Sequence, residues 1–109
     1  MKKFLSIAIA LLALPTYAQN LTINDFEKIG FIKENQPLFQ MVGAIDGWKG
    51  KFKGNQIEVY LYESKSKIPA NQLRTIIEKY SGSFCITKNS AILEYSNGDF
   101  CALVTSRLR

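Results

Sequence analysis

The side chains able to do chemistry in this chain are few. They are two cysteines, Cys85 and Cys101, a scatter of carboxylates, and a lysine row at Lys49, Lys51 and Lys53 with Tyr60 and Tyr62 close behind it. The chain contains no histidine. That removes the imidazole base of a Ser-His or Cys-His nucleophile and the commonest zinc ligand. No glycine-rich phosphate loop or dinucleotide fingerprint occurs, so neither a cofactor nor a metal is expected. The carboxylates Asp46, Glu58, Glu63 and Glu94 remain. If the first hairpin runs without a bulge, Asp46 faces Glu63, and two facing carboxylates are the machinery of a glycosidase. The simpler reading places both at strand ends, where charged groups are solvated.

The lysine row supports a second chemistry. Three ammonium groups on one strand face beside tyrosine rings can hold an anionic polymer or an acidic protein patch. Lysines on a hairpin also keep it soluble and discourage edge-to-edge pairing. Lys49, Lys51, Lys53, Tyr60 and Tyr62 are therefore the candidate binding residues. Without a metal, cofactor or catalytic base, a non-catalytic binding or inhibitory module is the expected function. A carboxylate-dependent hydrolase of cell-wall or surface glycans is the alternative. A structural subunit of an envelope assembly is a third.

The N-terminus bears on where this chemistry would operate. Met1-Lys2-Lys3 is basic, Phe4 to Leu14 is an apolar run, and Thr16-Tyr17-Ala18 places small residues at −3 and −1 of a cleavage point. This is the order of a secretory signal peptide. The run of 11 residues is too short for a hydrocarbon layer of about 30 Å. Residues 1–18 are thus expected to be removed, leaving 19–109 as a single small domain without a transmembrane segment, periplasmic or secreted from a bacterial cell. Losing Lys2 and Lys3 lowers the net charge from +5 to +3. That charge is too small to point to nucleic acid; an envelope protein or an anionic surface polymer is the expected partner. In an exported chain the two cysteines should pair. Closing their loop of 16 residues (101 − 85) contributes about 3 kcal/mol in the chain-entropy model.

The elements that must position these groups follow from periodicity and turn chemistry. Thr22 and Asp25 make a capping-box variant, with Leu21 stapled to Phe26. Gly30 supplies a C′ position and turns Phe31 back toward Phe26. A first helix near Ile23 to Ile29 is expected, with a pattern able to run on to Lys33. Leu38 to Ile45 reads as a strand. A hairpin turning at Gly54-Asn55 puts Lys53 opposite Gln56, Lys51 opposite Glu58 and Lys49 opposite Tyr60. Trp48, Phe52, Ile57, Val59 and Leu61 then share the apolar face. A bulge at Gly47 would turn Trp48 outward.

Leu73, Ile76, Ile77 and Tyr80 form one stripe at helical spacing, predicting a second helix over about Pro69 to Ser81 ended by Gly82. Phe84 to Thr87 reads as a short strand. Asn97-Gly98 predicts a hairpin between Ala91–Ser96 and Phe100–Thr105, with Cys101 in the last strand. The expected class is α+β, an antiparallel sheet of two hairpins with two helices on one face, in the order α-β-β-α-β-β, with one disulfide.

Overall fold

The computed structural model describes residues 20–95 and 98–108. The expected signal peptide lies outside the described residues, as does Asn97 of the expected second turn. The chain opens with helix α1, Ile23–Lys28, followed by strand β1, Ile32–Asn35. A 3-10 turn at Phe39–Val42 leads into the hairpin β2, Asp46–Phe52, and β3, Asn55–Leu61. Helix α2 is Ala70–Tyr80, and a second hairpin joins β4, Ser83–Thr87, to β5, Ser90–Glu94. Helix α3, Asp99–Arg107, follows. The five strands form one antiparallel sheet in the order β1-β2-β3-β5-β4.

The start of α1 is built as its residues dictate. Thr22 N–H donates to Asp25 Oδ2 at 2.8 Å, the return half of a capping box. At its end Gly30 N donates to Glu27 O and Phe31 N to Phe26 O, the paired bonds of a Schellman motif, with Gly30 left-handed at φ +115°. Leu21, Phe26 and Phe31 are all buried in one cluster.

α+β class, antiparallel pairing and the Cys85–Cys101 disulfide are as expected. Four features of the layout are not. The helices do not share one face. α1 and α3 cover the face carrying Phe52, Ile57, Val59, Leu61 and Ile92. Leu73 and Ile77 of α2 pack on the opposite face, against Tyr60, Ala91 and Leu93. A central strand flanked by layers on both sides is buried along its length, and β3 is buried from Ile57 to Leu61, Glu58 included.

The second difference is the C-terminus. Phe100 to Thr105 is helical, so Cys101 lies on α3 and the disulfide ties β4 to a helix. This run alternates too weakly to decide between strand and helix. The deciding contacts are tertiary: Phe100 fills the space between Phe26, Phe31 and Phe52, with ring centroids 6.3, 6.0 and 4.9 Å away. β5 pairs instead with β4 through a turn at Lys88-Asn89.

Third, Ile32–Asn35 is an edge strand and the Leu38–Ile45 segment is a 3-10 turn, so the first hairpin gains a neighbour on its open side. Fourth, the first hairpin turns at Lys53-Gly54, with φ +49° and +84°. Two left-handed residues give a type I′ turn, whose twist matches the strands. The register moves accordingly: Phe52 pairs Asn55, Lys51 pairs Gln56, and Lys49 pairs Glu58. The shift is by an even number of positions, so each side chain keeps its expected face. Trp48 thus packs, half-buried, against the same cluster as Val59, with the Lys33 ammonium 4.5 Å from its ring centre. α2 ends as predicted, but Ser81 (φ +60°) takes the left-handed position expected of Gly82.

Candidate binding site

The second face of the sheet is only half covered. α2 lies over the β5 and β4 side, and the 3-10 turn closes one end of β2. Between them lies a cleft of about 370 Å³ lined by Lys49, Gln56, Glu58, Tyr80 and Tyr95.

The sheet register brings these residues together. Glu58 sits at the centre of β3 with Lys49 directly opposite on β2 and Leu93 opposite on β5. Gln56 and Tyr60 are its neighbours two positions away along the same strand, on the same face. Beyond the last strand pair, Tyr95 N donates to Gln56 O at 3.1 Å, which sets Tyr95 diagonal to Glu58. Diagonal neighbours are within reach of an aromatic side chain. Tyr80, the last residue of α2, meets Tyr95 edge-on with ring centres 6.1 Å apart, and it remains 66% exposed.

Glu58 is 8% exposed, and its carboxylate is held by a phenol. Tyr60 Oη donates to Glu58 Oε1 at 2.5 Å, and the Tyr95 phenol lies near enough to feel the same charge. Burial, reinforced by the hydrogen bond to Glu58 and its charge, raises the Tyr60 phenol far above 10. Burial and the Glu58 charge do the same for Tyr95. Both therefore stay protonated donors at any physiological pH. Gly47 makes room for this arrangement. A Cβ there would lie 2.7 Å from Phe39 Cβ and 3.0 Å from the Tyr60 ring, which lies across the strand.

Lys49 and Glu58 face each other but form no ion pair; the ion pairs of the hairpin region are Lys33–Glu27 and Lys51–Glu34. Opposite charges placed directly across an antiparallel pair ordinarily attract. Here the Tyr60 phenol holds the carboxylate, and the ammonium stays half-exposed on the opposite strand.

The five residues singled out from the sequence are thus dispersed. Lys49 lines the cleft. Lys51 is on the same face but is engaged with Glu34 at 3.6 Å. Lys53 occupies the turn and lines a shallow hollow beside α3 with Phe52 and Leu103, away from the cleft. Tyr60 is buried beneath the cleft as a donor to Glu58. Tyr62 is fully buried with its hydroxyl donating to Val42 O at 2.9 Å, so it presents nothing to a partner.

Glu58, expected as a solvated partner of Lys51, is the buried centre of the cleft. Gln56 was visible only as a residue opposite a lysine. From the sequence, Tyr80 reads as part of a helix stripe and Tyr95 as one residue of the Ala91–Ser96 strand. Joining them to Glu58 required knowing that β5 lies beside β3. The facing carboxylates do not form: Asp46 pairs with Leu61, while Glu63 lies beyond the strand, within 4.0 Å of Lys67. Asp46 instead accepts from Gln36 Nε2 at 3.0 Å and its own neighbour Gly47 N at 2.9 Å. No group of metal-ligating side chains occurs among the described residues, and none of their helices is long and apolar enough to cross a membrane. Comparisons with protein-family models, curated proteins and solved structures returned no match.

Proposed function

We propose that the chain is a small non-catalytic binding module of the bacterial cell envelope, exported to the periplasm or secreted. Its site is the cleft between α2 and the β2–β3 hairpin. The observation that carries this reading is the concave, mixed aromatic and polar lining of Lys49, Gln56, Glu58, Tyr80 and Tyr95. Ligand sites of this size use a few converging polar groups for orientation and aromatic surface for affinity. The disulfide supports an oxidising compartment. No observation favours the hydrolase alternative, since Asp46 and Glu63 do not face each other.

The test is amide chemical-shift mapping of the folded protein against fractionated envelope extract. Shifts confined to the neighbourhood of Lys49, Glu58 and Tyr95, and lost in Tyr95→Ser with Tyr80→Ser, are the expected result. A fraction that shifts only residues away from the cleft overturns the reading.

A further inference from the structure

Resting on the cleft as the binding site, we infer that its ligand is a small zwitterion, an ammonium group joined to a carboxylate or phosphate. The deciding feature is that Lys49 and Glu58 lie directly opposite each other and remain unpaired. Glu58 is 8% exposed, yet the bond its carboxylate accepts comes from a neutral phenol and it is in no ion pair. The ammonium of Lys49 lines the same cleft and is likewise in no ion pair among the described residues.

Each simpler ligand meets a penalty at one of these two groups. A plain cation is attracted by Glu58 but repelled by Lys49. A plain anion, including the anionic polymer expected from the lysine row, meets the reverse. A neutral sugar would cover both charges without pairing either, which costs desolvation with no return. A zwitterion matches both, and specificity follows from the clash that each singly charged analogue suffers. The rings add to the same preference. Tyr80 and Tyr95 stand edge-to-face at the wall of the cleft, and a tyrosine face attracts an organic cation within about 6 Å. The ammonium of the ligand belongs against Glu58 and these rings, and its acid group against Lys49. Tyr60 keeps the carboxylate in place by donating to it, so it need not reorganise on binding.

The test is titration of the oxidised protein with defined probes, read by amide shifts and calorimetry. Diglycine and phosphoethanolamine are the zwitterions. N-acetyl-diglycine carries only the anion, diglycine amide only the cation, and a disaccharide neither. At least one zwitterion should shift the amides around Lys49, Glu58 and Tyr95 and bind roughly tenfold or more tighter than every other probe. The stronger of the two identifies a peptide-type or a phosphate-bearing headgroup source. Glu58→Gln should remove the preference for diglycine over its N-acetyl analogue, and Lys49→Met the preference over its amide. Glu58→Gln is isosteric and Lys49→Met keeps an unbranched chain one atom shorter, and thermal melting checks that both fold. Equal or tighter binding of the disaccharide or a singly charged probe at the cleft overturns the zwitterion while leaving the cleft as a site. So does the absence of any zwitterion binding there when an extract fraction still occupies the cleft. Cleft shifts from neither probes nor extract overturn both readings.

Discussion

Glu94 Oε1 accepts the backbone amide of Cys101 at 3.0 Å, while Oε2 of the same carboxylate accepts that of Phe100 at 3.1 Å. The last residue of β5 thereby caps the first turn of α3, which has no cap from its own Gly98. A carboxylate at a helix N-terminus meets both the orphan amides and the positive end of the helix dipole. Glu94 is fully buried, so these bonds are made in a dry environment.

Removing the carboxylate should therefore be costly. Glu94→Ala leaves two buried amides without acceptors and opens a void, for a loss of about 2–4 kcal/mol. In a domain of this size that is a melting temperature lower by roughly 10–20 °C. Glu94→Gln retains one good acceptor and should lose clearly less. Melting curves of the two variants with the disulfide intact check this; equal losses would mean that the cap contributes little.

A long-range latch lies at the β4–β5 turn. Asn89 Oδ1 accepts Leu21 N at 2.6 Å, and its Nδ2 donates to Tyr62 O at 2.9 Å and Leu21 O at 3.3 Å. One amide side chain thus joins the start of the domain to the end of β3. Asn89→Ala should destabilise by about 2–3 kcal/mol, because it strands buried backbone groups. Hydrogen exchange at the Leu21 amide should accelerate more than that at Ile92, a centre-sheet residue. Uniform acceleration at the two sites would argue against a local latch.

Lys53 is the one position of the first hairpin that works against its own backbone. Its φ of +49° is left-handed, which costs a non-glycine residue about 1–2 kcal/mol. Asn-Gly is the preferred pair for such a turn. Lys53→Asn should raise stability by about 0.5–1 kcal/mol, less the weak contact of the lysine with the Phe52 ring at 5.3 Å. Denaturant unfolding with an unchanged slope measures it, and a lower midpoint would contradict the turn assignment.

Alkaline pH should unfold the domain through its tyrosines. Burial pushes the Tyr62 phenol up to about 12 from 10.0, and Tyr60 and Tyr95 move further in the same direction. A phenol that ionises more readily unfolded than folded contributes stability that is complete below pH 10. That stability declines from there and is lost as the pH rises through 12. Tyrosinate absorbance of these three residues should appear together with loss of the helical circular dichroism signal. Tyr62→Phe should shift that transition to higher pH. Smooth titration near pH 10 with the fold intact would show that the phenols are not buried.

Local chemistry was legible without any tertiary knowledge. The α1 caps need only Thr22, Asp25 and Gly30 in their spacing, and α2 only its apolar stripe. The cysteine pairing followed from there being two in a chain whose first residues read as a secretory signal. Even the face of each residue in the first hairpin was right despite a misplaced turn, since strand alternation survives an even shift in register. The cleft was not legible in the same way. Glu58 alternates with lysines in the sequence and reads as a solvated charge. It becomes a buried centre only because β5 pairs with the far side of β3 and brings Tyr95 diagonal to it.

Sequence alone determined what depends on neighbours within a turn or two of chain: helix ends, strand faces, the pairing of two thiols. Tertiary structure decided what depends on which segments meet. It made Phe100–Thr105 a helix by offering Phe100 a hydrophobic socket and its first amides to Glu94. It also placed Tyr80, Tyr95 and Lys49 around one carboxylate. The Phe100 socket joins residues tens of positions apart, while the Glu94 bonds reach six and seven residues along the chain, and the energy of both comes from burial and hydrogen bonds that no local pattern encodes.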